Sequence, residues 1–220
     1  MAGDTDKIIP LFPLPSTVMF PCTYLPLHIF EPRYRQMVQD AIEGDRIIGM
    51  VLLKEGWEPD YHGNPPIHEI GCVGRIVRVQ SLEDGRFNIV LYGTEKFSVA
   101  EQFHDKPYRQ GRVETDGREG APERALPVTV RSGLVTALLE FARQGGLEKQ
   151  MDAVLGMKLA DERLVHLLSS ELDLTPVEKQ FLLESADYVQ QCRRLTDLLR
   201  FMSSGDPSVR KSGHPLDASP

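Results

Sequence analysis

The sequence predicts an α+β protein in which strands come first and helices follow. Residues 46–114 contain apolar or alternating runs of strand length, whereas residues 128–202 repeat apolar side chains at helical spacing. Between them, residues 116–127 are polar and contain glycine and proline, as a linker does. A run of strands followed by a run of helices is typical of α+β folds whose two parts are segregated.

We therefore predict a β subdomain at residues 1–117, a helical subdomain at 118–203 and a disordered tail at 204–220. The tail is predicted from its composition, which is rich in serine, glycine, proline and charged residues and poor in large apolar ones.

The segment at residues 8–30 is apolar, but its five prolines exclude a helix. We expect short extended pieces here, with the prolines on sheet edges or at bulges. The prolines are Pro10, Pro13, Pro15, Pro21 and Pro26.

One helix is predicted early, from Pro32 to a stop at Gly44. Proline suits the first helical position because its missing N–H would have no partner there. A single apolar stripe follows the helical period: Tyr34, Met37, Val38, Ala41 and Ile42.

Further strands are predicted on either side of a loop at residues 54–66. Residues 67–82 form one long, bent strand or two strands, and Gly71 and Gly74 inside this run indicate a bulge or a close approach of another backbone segment. Asp84-Gly85 predicts a hairpin with a type I′ turn, which needs positive φ at both central residues. The strand ranges are 46–53, 67–82, 87–92, 96–103 and 108–114.

The second half contains several helical patterns. Thr175 and Glu178 have the spacing of a capping box, with Pro176 at the first helical position, so a helix begins there. The other predicted helices are 128–144, 147–157, 161–170 and 186–202.

The charge balance argues against a nucleic-acid surface. The formal net charge is −7, from 17 acidic and 12 basic residues in 1–117 and 15 acidic and 13 basic residues in 118–220. Binding to phosphates needs clustered lysine and arginine, and neither half is basic.

The sequence predicts no membrane span, no structural metal site and a cytoplasmic location. No uncharged apolar run approaches the roughly 18 residues that a membrane helix needs, and the N-terminus has no apolar signal region. Cys22, Cys72 and Cys192 are far apart and form no C-x-x-C pair, which indicates buried reduced thiols. The stretch with His62 and His68 is interpreted as a solvated loop rather than a metal site.

No catalytic or cofactor motif is present, so we predict neither an enzyme nor a cofactor. The chain contains no G-x-x-x-x-G-K-[ST] loop, no G-x-G-x-x-G and no G-x-S-x-G elbow. His28 lies in an apolar run and is expected to be a core histidine that a backbone carbonyl satisfies.

Several side chains are candidates for contact with a peptide, and each has a structural alternative. Arg33 offers a guanidinium fork to a carboxylate or carbonyl group, although an ion pair with Glu31 is the favoured interpretation. Trp57 and Tyr61 are either binding anchors in the 54–66 loop or a lid folded onto the sheet. The full set is His28, Phe30, Arg33, Tyr34, Trp57, Tyr61 and Arg75.

The N-terminal third carries a family resemblance. Residues 11–14 (L-F-P-L), Phe20-Pro21 and residues 25–34 (L-P-L-H-I-F-E-P-R-Y) resemble the characteristic first block of the N-terminal domain of Lon proteases. Residues 74–76 and 84–97 resemble the second block, and residues 179–184 resemble the start of the closing helices. The resemblance covers roughly residues 7–203.

The resemblance implies a PUA-like pseudo-barrel of about six strands with one inserted helix, followed by an α-helical bundle. In full-length Lon enzymes this domain helps to select and hold unfolded substrate, and separate ATPase and protease domains perform the chemistry. We expect this chain to end before those domains, so no catalytic residue is carried over. A related domain in cereblon, a ubiquitin-ligase adaptor, shows the module used for interaction alone.

The leading functional hypothesis is therefore a non-catalytic polypeptide-binding or adaptor module, with a Lon-type protease as a candidate partner. Residues 8–30 and 54–66 are expected to shape an apolar groove between the β and α halves. The alternative is an RNA-binding protein that uses the PUA-like barrel, and an enzyme with an unrecognised site is a third possibility.

Overall fold

The computed structural model describes residues 7–119 and 124–204. The tail predicted to be disordered lies outside the described residues from position 205 onward, and so does part of the predicted linker. The strands are β1 Lys7–Leu14, β2 Tyr24–Ile29, β3 Ile47–Leu52, β4 Ile70–Ser81, β5 Phe87–Phe103 and β6 Gln110–Thr115. The helices are α1 Pro32–Glu43, α2 Val128–Gly145, α3 Glu148–Gly156, α4 Asp161–Glu171, α5 Pro176–Leu183 and α6 Tyr188–Ser204, with a short 3-10 helix at Glu58–Asp60.

This order confirms the α+β class, with a single helix inserted among the strands. The strands are arranged β2-β5-β4-β3-β1-β6, and a further pairing between β5 and β6 joins five of them in a ring. Strand β2 lies outside this ring and pairs with the first half of β5. All pairings are antiparallel except that of β1 with β3.

Strand β5 corrects the prediction of two separate strands at 87–92 and 96–103. The glycine between them looks like a break in the sequence, but the chain stays extended through Gly93. A β-carbon at this position would overlap the backbone oxygen of Phe20, so the glycine is needed for close approach of another segment. The bulge expected near Gly74 is present, as a register shift between Val73 and Gly74.

The hairpin at Asp84-Gly85 is confirmed, but its turn is not type I′. Of the two central residues, Gly85 has a positive φ, of 77°, and Asp84 does not. The Gly85 amide donates to Leu82 O, and the Leu82 amide donates to Arg86 O, so the loop is longer than two residues. Longer hairpin loops commonly place a glycine in the left-handed region after an ordinary turn.

The prolines of β1 are not at the edge of the sheet, contrary to expectation, because β1 lies between β3 and β6. Residues 7–10 are in register with β6 and residues 11–14 with β3, so each half of β1 has one partner strand in register. Pro10 and Pro13 therefore occupy positions where one side of the strand has no partner in register. Pro26 does lie in an edge strand, β2.

The hydrophobic core has two clusters around the sheet. One packs α1 against the sheet through Tyr34, Met37, Val38 and Ala41, which confirms the predicted stripe. The second cluster contains Ile9, Leu11, Val51, Val73 and Phe97, among others.

The described residues divide into two compact units, and the subdomain boundary at residue 117 stays a prediction. One unit comprises the described residues up to 125 together with 160–186, and the other comprises 126–159 together with 187–204. Helices α4 and α5 thus belong with the sheet. The reason is a set of long-range contacts that composition does not reveal: Gln180 Nε2 donates to Ile70 O (3.0 Å), and Lys96 Nζ donates to Ser185 O (2.6 Å).

The capping box of α5 is confirmed. Thr175 Oγ1 accepts from the Glu178 amide, and the Glu178 carboxylate accepts from the Thr175 amide at 2.8 Å. In the other unit, α2 packs against α6. The buried apolar side chains of these two helices are Leu134, Ala137, Leu138, Ala142, Tyr188, Cys192, Leu195 and Leu199. None of the helices within residues 7–119 and 124–204 is long and apolar enough to cross a lipid bilayer.

Replacing Gly93 tests the continuity of β5. We expect Gly93→Ala to lower the free energy of unfolding by about 2–4 kcal/mol, because the new methyl group overlaps backbone rather than a movable side chain. Urea unfolding monitored by circular dichroism measures the change. Gly156→Ala is the control for glycine replacement in general, since nothing lies within 4 Å of a β-carbon there and its φ is not positive. A loss at position 93 no larger than at 156 contradicts the close approach.

Buried His166 predicts an acid-sensitive fold. The residue is 4% exposed on α4, and its Nδ1 is the buried side-chain atom that lacks a hydrogen-bond partner in the described residues. Burial, with a smaller effect from the positive charges of Lys96 and Arg118, lowers its pKa from 6.5 to about 4. Below pH 6.5, His166 binds a proton in the unfolded chain but stays neutral in the folded chain. The free energy of unfolding therefore falls as the pH decreases from 6.5 toward 4.

We expect the wild-type protein to lose about 2 kcal/mol through His166 between pH 7 and pH 5. His166→Leu should abolish this part of the loss, while the contributions of other groups remain. Urea unfolding of both proteins at the two pH values gives the difference. Equal losses in the two proteins would show that His166 is protonated as readily in the folded chain as in the unfolded one.

Candidate functional site

The predicted site residues fall into two groups on the first compact unit. His28, Phe30 and Arg75 lie on or next to the outward side of β2, β5 and β4. The other four lie at the start of α1 and in the 54–66 loop: Arg33, Tyr34, Trp57 and Tyr61.

The first group surrounds an exposed aromatic surface. Alternate residues of β2 point away from the core, so Tyr24, with 66% of its surface exposed, and His28 share one side. Phe30 follows directly and is 60% exposed. The Tyr24 ring lies 5.0 Å from that of Tyr92 on β5, and the His28 ring lies 6.1 Å from Phe30. We call these outward side chains the β2 face: Tyr24, Pro26, His28, Phe30, Val90 and Tyr92.

The expectation that His28 is a core residue is wrong. Its Nδ1 lies 2.7 Å from Asn88 Oδ1, and Arg86 donates to its Nε2 at 3.2 Å. These partners are consistent with a neutral ring protonated at Nδ1. The side chain is exposed because Leu27 and Ile29, its neighbours in the strand, take the inward positions.

The outer edge of β2 has no partner among the strands that the structure describes. The Gly93 amide donates to Thr23 O at 2.9 Å, which fixes the phase of the ladder. Because antiparallel strands alternate between bonded and outward-facing residues, Tyr24, Pro26 and His28 direct their backbone groups away from β5. Pro26 contributes no N–H to this edge, so its outward position costs the sheet no hydrogen bond.

Arg75 lies opposite Tyr92 in register on β4, and its guanidinium bonds the carboxylate of Glu119. Arg78 lies opposite Val90 on the same side of the sheet. Arg86 pairs with Asp84. Two of these three arginines thus have acidic partners.

The second group is organised by the carboxylate of Glu31. This group accepts hydrogen bonds from Arg33 Nε at 3.0 Å and from the Tyr61 hydroxyl at 2.8 Å. Arg33 also donates to Tyr61 O at 3.2 Å, and its guanidinium lies 4.5 Å from the centre of the Tyr34 ring. The ion pair with Glu31 is the structural alternative that the sequence favoured for Arg33. Tyr34 is buried, which raises its pKa to about 12.

The loop at residues 54–66 folds back onto the protein. Trp57 and Tyr61 are half-buried, contact each other edge to face at 5.4 Å, and pack against the second core cluster. Of the two alternatives for these aromatics, the structure has the lid.

Next to this lid is a cleft of about 210 Å³. Its walls are Arg33 and Tyr34 of α1, residues 61–65 of the loop, and His104 with residues 106–109 before β6. His104, Lys106 and Arg109 are not predicted as site residues, because they lie in a short connection that carries no motif. Arg33, Tyr34 and Tyr61 of the second group thus form one wall of the cleft. The other wall was not predicted.

Two interactions fix the charge of the far wall. Lys106 Nζ bonds Asp40 Oδ2 at 2.6 Å, and the Tyr108 hydroxyl donates to the same oxygen at 2.7 Å. These bonds lower the pKa of Asp40 to about 2 and raise that of Lys106. Arg109 is 6% exposed, and its Nη2 donates to Pro65 O at 2.9 Å, which ties the two walls together.

The two groups of residues offer different kinds of contact. Among residues 7–119 and 124–204, no three or more histidines, cysteines and acids are grouped so that they could hold a metal ion. The β2 face offers aromatic rings and outward backbone groups, and the cleft offers cationic side chains.

This chain is similar in sequence and in structure to known proteins of one family. The family model described as the substrate-binding domain of ATP-dependent protease La (LON) matches residues 8–200. The chain is 25% identical over 200 residues to Lon protease 2 of Myxococcus xanthus and 31% identical over 201 residues to Lon protease of Paraburkholderia phytofirmans. These matches cover 89% and 88% of this chain but 24% of each relative, so the chain spans about a quarter of their length.

Two solved structures agree with this assignment. The crystal structure of a Lon N-terminal domain protein from Xanthomonas campestris is 26% identical, with a TM-score of 0.63, and the match covers 89% of this chain and 99% of that one. The N-terminal domain of a Mycobacterium avium complex Lon protease, 18% identical with a TM-score of 0.63, has the same fold over 88% of this chain and 98% of that one. The chain therefore belongs to the Lon substrate-binding domain family.

Proposed function

We propose that this protein is a non-catalytic recognition module that binds exposed, unfolded segments of polypeptide. The family supports a role in substrate recognition, since its description names a substrate-binding domain. The observation that carries the proposal is the β2 face, where large aromatic side chains are exposed beside a strand edge that pairs with no further strand of the described chain.

The chemistry of the β2 face suits an extended apolar segment. Tyr24 and Phe30 offer large contact areas that have few rotatable bonds and so lose little entropy on binding. The outward backbone groups of Tyr24 and His28 are able to pair with a strand laid alongside β2. Pro26 interrupts this edge, which limits uncontrolled pairing between copies of the protein.

We further propose that the protein works as an adaptor for a Lon-type protease, which performs unfolding and cleavage. The absence of nucleotide and nucleophile motifs in the sequence supports a binding role. On this proposal the protein holds a client segment on the β2 face, and the ATPase and protease steps take place on the partner.

RNA binding is a second candidate, favoured by one observation. Exposed aromatic rings next to arginine on a sheet are typical of surfaces that bind single-stranded RNA. Arg78 of β4 lies opposite Val90, which is part of the β2 face. The net charge of −7 and the acidic partners of Arg75 and Arg86 argue against it.

Removing the aromatic rings of the β2 face should weaken the binding of polypeptide. We expect the double variant Tyr24→Ser/Phe30→Ser to bind a fluorescently labelled, permanently unfolded model protein at least tenfold more weakly than wild type, because two anchoring rings are lost. Fluorescence anisotropy measures the dissociation constants. Both side chains are exposed, so the fold should be retained, which circular dichroism checks.

Phe201→Ser is the matched control, since Phe201 is 73% exposed on α6 in the other compact unit and lies outside the β2 face. The control should bind like wild type. Equal affinity of all three proteins would remove the β2 face as the binding surface. If wild type binds no unfolded protein but retains bulk RNA on filters at low salt, the polypeptide proposal is wrong and the RNA candidate replaces it.

A further inference from the structure

The charge of Arg109 has no counter-ion in the part of the chain that the structure describes. The residue is 6% exposed, makes the single hydrogen bond to Pro65 O, and forms no ion pair with an acidic residue within residues 7–119 and 124–204. The other two permanent cations of the cleft differ in this respect. Arg33 pairs with Glu31 at 3.0 Å and Lys106 pairs with Asp40 at 2.6 Å.

This arrangement is unfavourable unless an anion completes it. A guanidinium removed from water loses hydration that one carbonyl does not replace, so buried charges are normally paired. Burial lowers the pKa of Arg109, and the charge of Arg33 lowers it further, whereas Tyr34 and Asp60 act in the opposite direction. A neutral side chain could bond Pro65 O equally well, which leaves the positive charge without a structural purpose.

The composition of the cleft points to the same missing group. Its described lining includes the cationic or ionisable side chains of Arg33, His62, His104, Lys106 and Arg109, and no aspartate or glutamate. Glu31 and Asp40, which lie behind this lining, neutralise Arg33 and Lys106, so the positive charge left over in the cleft is that of Arg109.

Backbone donors in the loop wall are already occupied. The Gly63 amide donates to Asp60 O at 2.8 Å, and the Asn64 amide donates to Asp60 Oδ2 at 3.0 Å. Phosphate sites in proteins characteristically use several free backbone amides. A planar carboxylate, in contrast, is matched by the fork of a single guanidinium.

We infer that the cleft binds a carboxylate group of a polypeptide ligand, with the guanidinium of Arg109 as its buried partner. This inference rests on the proposed function for the nature of the ligand, and it adds a polar anchor to the apolar contacts of the β2 face. Both a chain terminus and an aspartate or glutamate side chain carry the required group. The cleft volume of about 210 Å³ suits the entry of one residue rather than a folded segment.

Short peptides test the inference on the unaltered protein. We expect N-acetyl-trialanine with a free C-terminal carboxylate, or N-acetyl-Ala-Glu-Ala amide, to bind in calorimetric titrations at low salt. N-acetyl-trialanine amide, which has no carboxylate, should bind at least tenfold more weakly than the acid that binds. Binding of the free acid alone identifies a chain terminus as the source, and binding of the glutamate peptide identifies a side chain. Trp57, the only tryptophan of the chain, contacts Tyr61 in the cleft wall and provides a fluorescence signal.

The variant Arg109→Met separates a ligand role from a structural one. We expect it to lose carboxylate binding at least tenfold while its urea midpoint stays equal to or above that of wild type, because an unpaired buried charge is removed. A purely structural arginine would give a lower midpoint. Arg143→Met, which removes an exposed arginine of α2 in the other compact unit, should leave peptide binding unchanged.

Each remaining outcome has a distinct meaning. If neither carboxylate peptide binds better than the amide, or if only inorganic phosphate binds, the inference is overturned, even when the unfolded model protein still binds to the β2 face. If the carboxylate peptides bind but the unfolded protein does not, the cleft assignment stands and the proposed function fails. The comparison of acid with amide decides the matter even if Arg109→Met does not fold.

Discussion

The ladder of hydrogen bonds along β5 connects nearly every part of the first compact unit. This strand pairs with β4 along most of its length, with β2 at its start and with β6 at its end. Continuous pairing requires the chain to remain extended at Gly93, where the backbone of Phe20 comes too close for a side chain. The ring of strands, the position of β2 and therefore the exposure of the aromatic face all depend on this one strand.

The two candidate surfaces use different physical means. The β2 face is formed by alternation, because the inward positions of the strand are taken by Leu27 and Ile29 and the outward ones are left exposed. The cleft is formed by charge pairing, in which Glu31 and Asp40 neutralise Arg33 and Lys106, whereas Arg109 forms no ion pair with an acid in the part of the chain that the structure describes. An apolar surface binds without strict geometry, whereas a buried guanidinium fork recognises a particular group.

A recognition module benefits from this division. Unfolded segments differ in sequence, so a surface of exposed rings tolerates many of them, while a single charged anchor can fix where a segment stops or which residue it presents. Both surfaces lie on the compact unit that contains the sheet, together with α4 and α5. Residues of β1 and of the start of α1 pack into the core of this unit. They belong to the N-terminal segment, which has the strongest family resemblance.

The sequence alone determined the features that depend on neighbouring residues. The stripe of α1, the capping box at Thr175 and the hairpin at Asp84-Gly85 follow from local spacing and backbone preference, and the family motif identified the fold class. The sequence also identified Arg33 and Tyr61 as candidate site residues.

Only the tertiary structure decided the features that depend on distant partners. Contacts across the chain keep β5 continuous, assign α4 and α5 to the unit of the sheet, and leave His28 on the surface. The sequence shows that Arg109 is charged, but its burial opposite the 61–65 loop comes from segments that are separated by about forty residues. Local sequence patterns cannot predict this contact, because the free energy that stabilises it is gained only when the whole sheet has formed.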